Sequence, residues 1–528
     1  MAGMSCTLSR SKKKGAELHM KFDRRIVLPS LMALLSSGAV SAQPLEQFPR
    51  EVEPLPITEE SYPFNGAAHQ VEPIDLPSFN YTEEEFLVSG QAQVYDWEPN
   101  GDYEAVPVGK STYTTRMVVR RPENMENFSG HVVMEVINMS ADYDWTAMWA
   151  ALWERVTANG DVYVGITGKP NVIPGLVAFD ADRYGRMAMP SANLESDRNC
   201  ELPQDELAYK GLSSETESGV AWDMFTQIGG LLKSGDPKNP LGAPAERVFF
   251  TGESQSGNYA ITYYKFFQPD ATIEQNGGSV PIYDGFLTEA ATTPTGVPIR
   301  QCATPLPADD PQNLIPGRST PLAMINSQWD FFPARGGQRK PDANTADDRS
   351  VTWELAGANH GWRFQYLYGD ADHDDLRKAG LLSPDAEWSA WSCSPANPEV
   401  PLYMAEKALY EHLVDWVEDG KAPPSAEPIE LTSEGQVAFD QNNTAQGGLR
   451  LPMVEVPVAS FGEGRATLSE GCPEIEPFGT EKLKRLYGTR EAYLEAYRQA
   501  AWKLVQEGFL LSEDVDALMA TAKEVPFE

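Results

Sequence analysis

The spacing of hydrophobic and polar positions changes several times along the chain. From about Ala92 to Arg120 it alternates, as in Thr112-Tyr113-Thr114-Thr115-Arg116-Met117-Val118-Val119, the period of half-buried antiparallel strands. Unbroken apolar runs follow. His131-Val132-Val133-Met134-Glu135-Val136-Ile137 and Asp161-Val162-Tyr163-Val164-Gly165-Ile166 read as strands buried on both faces, and Trp145 to Val156 between them repeats at helical spacing. Strand, helix, strand implies a parallel unit, because parallel neighbours need a long crossover. Gly219 to Lys233 is helical again. Arg247-Val248-Phe249-Phe250-Thr251 is another buried strand that leads into a helix over Tyr259 to Phe267, and Tyr283 to Leu287, Leu322 to Asn326 and Ser350 to Leu355 supply three more strands.

The aperiodic stretches lie between and around these elements. Residues 43–80 are rich in Pro, Glu and Gln and predict an extended N-terminal segment, bounded here at 43–90. Residues 169–213 and 292–320 are irregular and read as insertions that lid or cap the domain. Met404 to Val417 is a helix stopped by Gly420 and Pro423-Pro424. After a Pro-containing stretch come helices over Thr489 to Glu507 and Ser512 to Lys523, the second opening on a capping-type Ser-Glu-Asp. The expected class is α/β: a mostly parallel central sheet flanked by helices. The main domain spans 91–425, and 426–528 forms a C-terminal helical extension packed on it.

Composition adds the setting. With 528 residues and 41% apolar content the chain can fill a sizeable core. Residues 21–25 are basic, Ile26 to Val40 are mostly apolar or small, and Val40-Ser41-Ala42 offers a cleavage site, so residues 1–42 predict a signal peptide and an exported protein, periplasmic or secreted. Met20, just before the basic cluster, is an alternative start. That segment holds seven Lys/Arg and two Asp/Glu, so its removal takes the net charge from −35 to −40. So acidic a protein repels phosphate backbones and anionic lipid, which argues against nucleic-acid and membrane partners. Cys200, Cys302, Cys393 and Cys472 remain and predict one or two disulfides with open pairing, while no Cys-x-x-Cys spacing marks a zinc site.

Candidate chemistry sits where a buried strand meets a helix. Gly252-Glu253-Ser254-Gln255-Ser256-Gly257 has the form of a nucleophile elbow, a tight turn that presents a serine hydroxyl and tolerates only small neighbours. Ser254 is the expected nucleophile. Ser256 is the competitor, but its register would put Asn258 in a crowded position. A serine hydroxyl needs a base. His69 and His131 precede the elbow, His412 lies within a helix, and His373 sits in the acidic run Asp370 to Asp375, read as a solvated charge cluster. His360 follows a buried strand in a Gly/Ala/Asn loop and is the expected base. The acid should lie between them at a strand's end, which selects Asp330 over Asp284, Asp342, Asp347 and Asp348, with the aromatics of Trp329 to Phe332 as a shield. The backbone amides of Gln255 and Met139 are the expected oxyanion donors, with Asn138 as a cap or brace.

At these residues the chain resembles bacterial alpha/beta hydrolase domain proteins that carry a Gly-x-Ser-Gln-Ser-Gly elbow. The likeness covers Glu135 to Asn138, Arg183-Tyr184-Gly185, Gly252 to Gly257, Trp416 to Pro424 and the tail from Leu486 to Asp514. The resemblance implies the α/β-hydrolase fold and cleavage of carboxylic esters. The expected protein is a carboxylic-ester hydrolase acting on a small-molecule ester through Ser254, His360 and Asp330, with no metal or organic cofactor implied. The alternatives are a peptidase or acyltransferase using the same triad, and a non-catalytic binding protein on the same scaffold.

Overall fold

The apolar runs and alternating segments become strands β1 (Glu51–Leu55), β2 (Tyr81–Trp97), β3 (Ala105–Pro122), β4 (His131–Val136), β5 (Val162–Ile166), β6 (Arg247–Glu253), β7 (Thr272–Gln275), β8 (Gly278–Pro281), β9 (Gly285–Glu289), β10 (Leu322–Ser327), β11 (Ala343–Asn344) and β12 (Arg349–Leu355). The computed structural model describes residues 46–527 except 99–103, 204–208, 276, 292–295, 304–305, 308–309, 332–338, 384–398 and 463–474. The expected leader, Phe332, Cys393 and Cys472 therefore lie outside the described residues.

Among the described residues, ten strands form one sheet in the order β1-β2-β3-β5-β4-β6-β9-β10-β12-β11. From β5 to β12 neighbours run parallel, whereas β1, β2 and β3 pair antiparallel and β11 closes the far edge antiparallel. The strand order reverses beside β4, so the carboxyl ends of β4 and β6 border the crevice where open α/β sheets bind their ligands.

The crossovers are the helices α1 (Ala147–Asn159), α2 (Ile173–Phe179), α3 (Ala181–Tyr184), α4 (Ala221–Leu232), α5 (Ser254–Phe266), α6 (Arg363–Gly369), α7 (His373–Lys378) and α8 (Leu402–Asp419), followed by α9 (Pro452–Glu455), α10 (Thr480–Tyr487), α11 (Arg490–Glu507) and α12 (Val515–Lys523). Alternation within the buried strands divides the core. Val133 and Phe249 face a layer with Trp149, Leu152, Leu413 and the C-terminal helices, while Val132, Met134, Val248 and Phe250 face Phe225, Ile228 and Tyr263 of α4 and α5. Buried Glu135 receives the Met148 and Trp149 amides at 3.1 and 3.0 Å, which anchors the start of α1 to β4.

The sheet begins earlier than the polarity pattern predicts. The segment 43–90, read as extended and irregular, holds β1 and the first half of β2. Its glutamates hide the strand period, and one of them is buried: Glu85 accepts ion-paired hydrogen bonds from Arg116 and Arg183 and a 2.8 Å bond from the Tyr184 hydroxyl. Arg116 also pairs with buried Asp144 at 2.9 Å. The Arg183-Tyr184-Gly185 motif thus ties an insertion to the antiparallel end of the sheet. The β7–β8 hairpin is a further addition, and Ser512 does not cap α12, whose first residue is Val515.

Candidate active site

Strand β6 ends on Glu253 and α5 starts at Ser254, whose φ of +51° lies in the left-handed region. That turn explains the flanking glycines. A Cβ on Gly252 would stand 2.5 Å from the Ser256 carbonyl oxygen, and one on Gly257 3.0 Å from the Gly252 carbonyl oxygen. The hydroxyl of Ser256, fully buried, accepts from the Glu253 amide at 3.0 Å and donates to the Glu253 carbonyl at 2.8 Å. Ser256 therefore braces the turn, and its hydroxyl is committed there.

The three side chains selected from the sequence converge above this turn. Ser254 Oγ lies 2.9 Å from His360 Nε2, and His360 Nδ1 lies 2.6 Å from Asp330 Oδ1. The remaining oxygen, Asp330 Oδ2, accepts from the Ser327 amide at 3.0 Å and its hydroxyl at 2.8 Å. With one oxygen occupied in this way, the other is aimed at the imidazole. His360 is 8% exposed and lies against the Trp329 ring, with centroids 4.8 Å apart. The two loops are joined as well: Gln328 Oε1 accepts from the Gly357 amide at 2.8 Å, three residues before the histidine. Ser327 and Gln328 carried no signal in the sequence beyond adjacency to Asp330.

Gln255 occupies the first turn of α5, where backbone amides have no partner within the helix. Met139, buried, follows Asn138 at the end of β4. The Asn138 amide group donates to the Glu253 carbonyl at 3.0 Å and to the Glu253 carboxyl, and its Oδ1 accepts from the Ser140 amide at 2.8 Å. Asn138 is therefore a brace that holds the 138–140 turn against the elbow. From the other side, Asn171 Nδ2 donates to the Met139 carbonyl at 2.9 Å.

Beneath the elbow lies a feature that the sequence reading missed, a layer of buried glutamates. Burial pushes the Glu253 carboxyl well above its ordinary range, and neighbouring Glu289 adds to this. Glu253 Oε1 stands 3.8 Å from His360 Nε2. Burial likewise pushes Glu289 up to about 8 and Glu406, which pairs with it, well above the usual range. Glu289 accepts from Trp362 Nε1 at 2.9 Å and Gln365 Nε2 at 3.2 Å, so it holds the chain just past the histidine. The only local hint was a glutamate inside the elbow, where a buried strand leaves it no route to water.

The other histidines among the described residues have structural partners. His412 Nε2 bonds the Gly508 carbonyl at 2.7 Å, His131 lies 3.7 Å from Asp161 and 3.5 Å from Glu418, and His69 stacks on Tyr62. The reading of His373 and its acidic run as a solvated cluster is corrected: Asp370 and Asp375 are each 2% exposed, and His373 Nε2 meets the Tyr366 hydroxyl at 2.9 Å. The run folds back against the residue 69–71 backbone, which buries half of its carboxylates.

A Cys200–Cys302 disulfide joins the 169–213 and 292–320 insertions. Fully buried Arg300 reinforces the join through ion pairs with Asp197 and with Glu217 at 3.2 Å. Lys210 bonds Asp142 at 2.8 Å, which seats the first insertion on the turn after β4.

A sheet of this order with an elbow at its switch point defines an α/β hydrolase. The family model described as alpha/beta hydrolase domain matches residues 51–520. The chain belongs to that family. No curated protein matches it. Among solved structures it is similar to esterase Est22 (11% identity, 59% of this chain and 82% of that one, TM-score 0.29). It is also similar to a Klebsiella pneumoniae protein provisionally named a dienelactone hydrolase (10%, 56% and 95%, 0.26) and to acetyl xylan esterase 1 from Thermoanaerobacterium sp. JW/SL YS485 (11%, 46% and 52%, 0.21). No helix among the described residues is long and apolar enough to cross a membrane.

Proposed function

We propose that the protein hydrolyses carboxylic esters of small molecules, with Ser254 as nucleophile, His360 as general base and Asp330 orienting the imidazole. The observation that carries this reading is the unbroken relay of 2.9 Å from Ser254 Oγ to His360 Nε2 and 2.6 Å from Nδ1 to Asp330. Both separations permit direct proton transfer or strong hydrogen bonding, and each partner has the geometry that its role needs.

In the first step Ser254 Oγ attacks the ester carbonyl while Nε2 takes its proton, and the oxyanion draws on the Gln255 and Met139 amides. The imidazolium returns the proton to the departing alkoxide, which leaves an acyl-serine and an alcohol. Water then gives a proton to Nε2, attacks the acyl carbonyl and releases the acid as the serine recovers its proton. Asp330, 2.6 Å from Nδ1, orients the imidazole and stabilises the imidazolium.

The reaction is assigned to an exported protein, a reading supported by the leader-like residues 1–42 and by the Cys200–Cys302 disulfide, since disulfides persist in oxidising compartments. The test is a panel of p-nitrophenyl acyl esters and peptide substrates with a fluorophosphonate probe. Release of p-nitrophenol, labelling of Ser254 and intact peptides are expected. A probe that leaves Ser254 unlabelled in folded protein overturns the assignment.

A further inference from the structure

Outside the elbow, the side chains best arranged for chemistry belong to the acidic run. His69, Asp372 and Asp375 each bring one donor atom to within 4.8 Å of the others. We propose that these three side chains bind a divalent transition-metal ion, zinc in the first instance, which clamps the N-terminal segment to α7.

Three observations carry the proposal. The first is the state of Asp375: the residue is 2% exposed, Tyr62 donates to its Oδ1 at 2.8 Å, and its buried Oδ2 has no hydrogen-bond partner among the described residues. An orphaned, buried carboxylate oxygen is costly unless a proton or a cation meets it. The second is that each ligand is already held in place. Asp372 Oδ1 accepts the Asp374 and Asp375 amides at 2.9 Å each, which leaves its other oxygen open. The Tyr62 ring stacks on the His69 imidazole, 3.7 Å between centroids and 6° between planes. Tyr62 therefore fixes one carboxylate through its hydroxyl and the histidine through its ring, as outer partners of metal ligands do.

The third observation is backbone support. The Asp372 amide donates to the His69 carbonyl at 3.0 Å, and Gln70 bridges Ala371, so the two ligand-bearing segments are held together without a metal. One nitrogen and two carboxylate oxygens suit zinc with water completing the shell. Donors around a tetrahedral ion stand roughly 3.4 Å apart, so loading draws the three inward by at most a little over an ångström. Lys378, with its ammonium 4.0 Å from the Phe179 ring centroid and 5.3 Å from that of Tyr62, is the cation nearest the cluster, and among the described residues it forms an ion pair with neither Asp372 nor Asp375. The cluster is separate in sequence from Ser254, His360 and Asp330, so the proposal does not depend on the hydrolase reading.

The test is zinc titration of EDTA-stripped full-length protein by calorimetry, with bound metal counted after gel filtration. One equivalent per chain is expected, with a higher melting temperature. His69→Gln and Asp375→Asn, which keep size and hydrogen-bonding capacity, should each weaken binding at least about tenfold, the loss typical of a removed metal partner. Absence of zinc binding, or equal affinity in both folded variants, overturns the site. Should the variants not fold, diethylpyrocarbonate modification of the wild type decides: zinc should protect His69 severalfold and leave His131 unaffected, and unchanged His69 modification rejects the proposal.

Discussion

At the scale of single residues, the elbow separates two serines that differ by two positions. The Ser254 hydroxyl meets the His360 imidazole, whereas the hydroxyl of Ser256 is spent on the Glu253 backbone. Ser254→Ala and His360→Ala should each lower kcat by at least about 10³-fold in ester hydrolysis. Ser256→Ala should keep most activity and cost about 1 kcal/mol in urea unfolding, because it removes a capping interaction. The reverse pattern would move the nucleophile. Asp330→Asn should lower kcat by roughly 10³- to 10⁴-fold with the fold intact, since an amide in place of Oδ1 cannot hold the imidazole tautomer that accepts the serine proton.

At the scale of elements, the candidate active site depends on turns that lean on one another. Asn138 ties the end of β4 to the end of β6, and Gln328 ties the turn after β10 to the turn after β12. Asn138→Ala should therefore lower kcat by about 10- to 100-fold, through a displaced Met139 amide, and change KM little. An unchanged kcat would place the second oxyanion donor elsewhere. Much of this level was legible in advance. The buried runs marked β4, β5, β6, β10 and β12, and His360 and Asp330 stood out because each follows such a run by a few residues. The braces were not legible: Gln328 and Asn138 are ordinary loop residues until another turn is brought to them.

At the scale of the whole molecule, buried acids shape stability. Glu289 titrates at about 8 in the fold, above the ordinary carboxylate range of about 4.3 in an unfolded chain. Between those values the native state holds a proton that the unfolded state lacks. Its contribution is therefore greatest below about pH 4.3 and is lost as pH rises through about 8. The urea midpoint should fall from pH 6 to pH 9, and Glu289→Gln should flatten that slope; an equal slope in the variant would place the proton elsewhere. The disulfide acts at the same scale. Cys200 and Cys302 are 102 residues apart, so a Cys200→Ser, Cys302→Ser variant should lose roughly 3–5 kcal/mol of unfolding free energy under non-reducing conditions.

The amino-acid sequence by itself determined the elements whose cause is local: apolar runs that can only be buried strands, the Gly-Glu-Ser-Gln-Ser-Gly turn with its steric need for small residues, and the chain order of serine, acid and histidine. The tertiary structure alone decided the partners of buried charge. The positions of β1 and the start of β2, the pairing of Glu85 with Arg116 and Arg183, the buried layer of Glu253, Glu289 and Glu406, and the gathering of His69 with Asp372 and Asp375 all depend on residues dozens to hundreds of positions apart. Periodicity reports which face of an element avoids water. It carries no information on which distant group will neutralise a charge placed there, because that is set by how the elements pack.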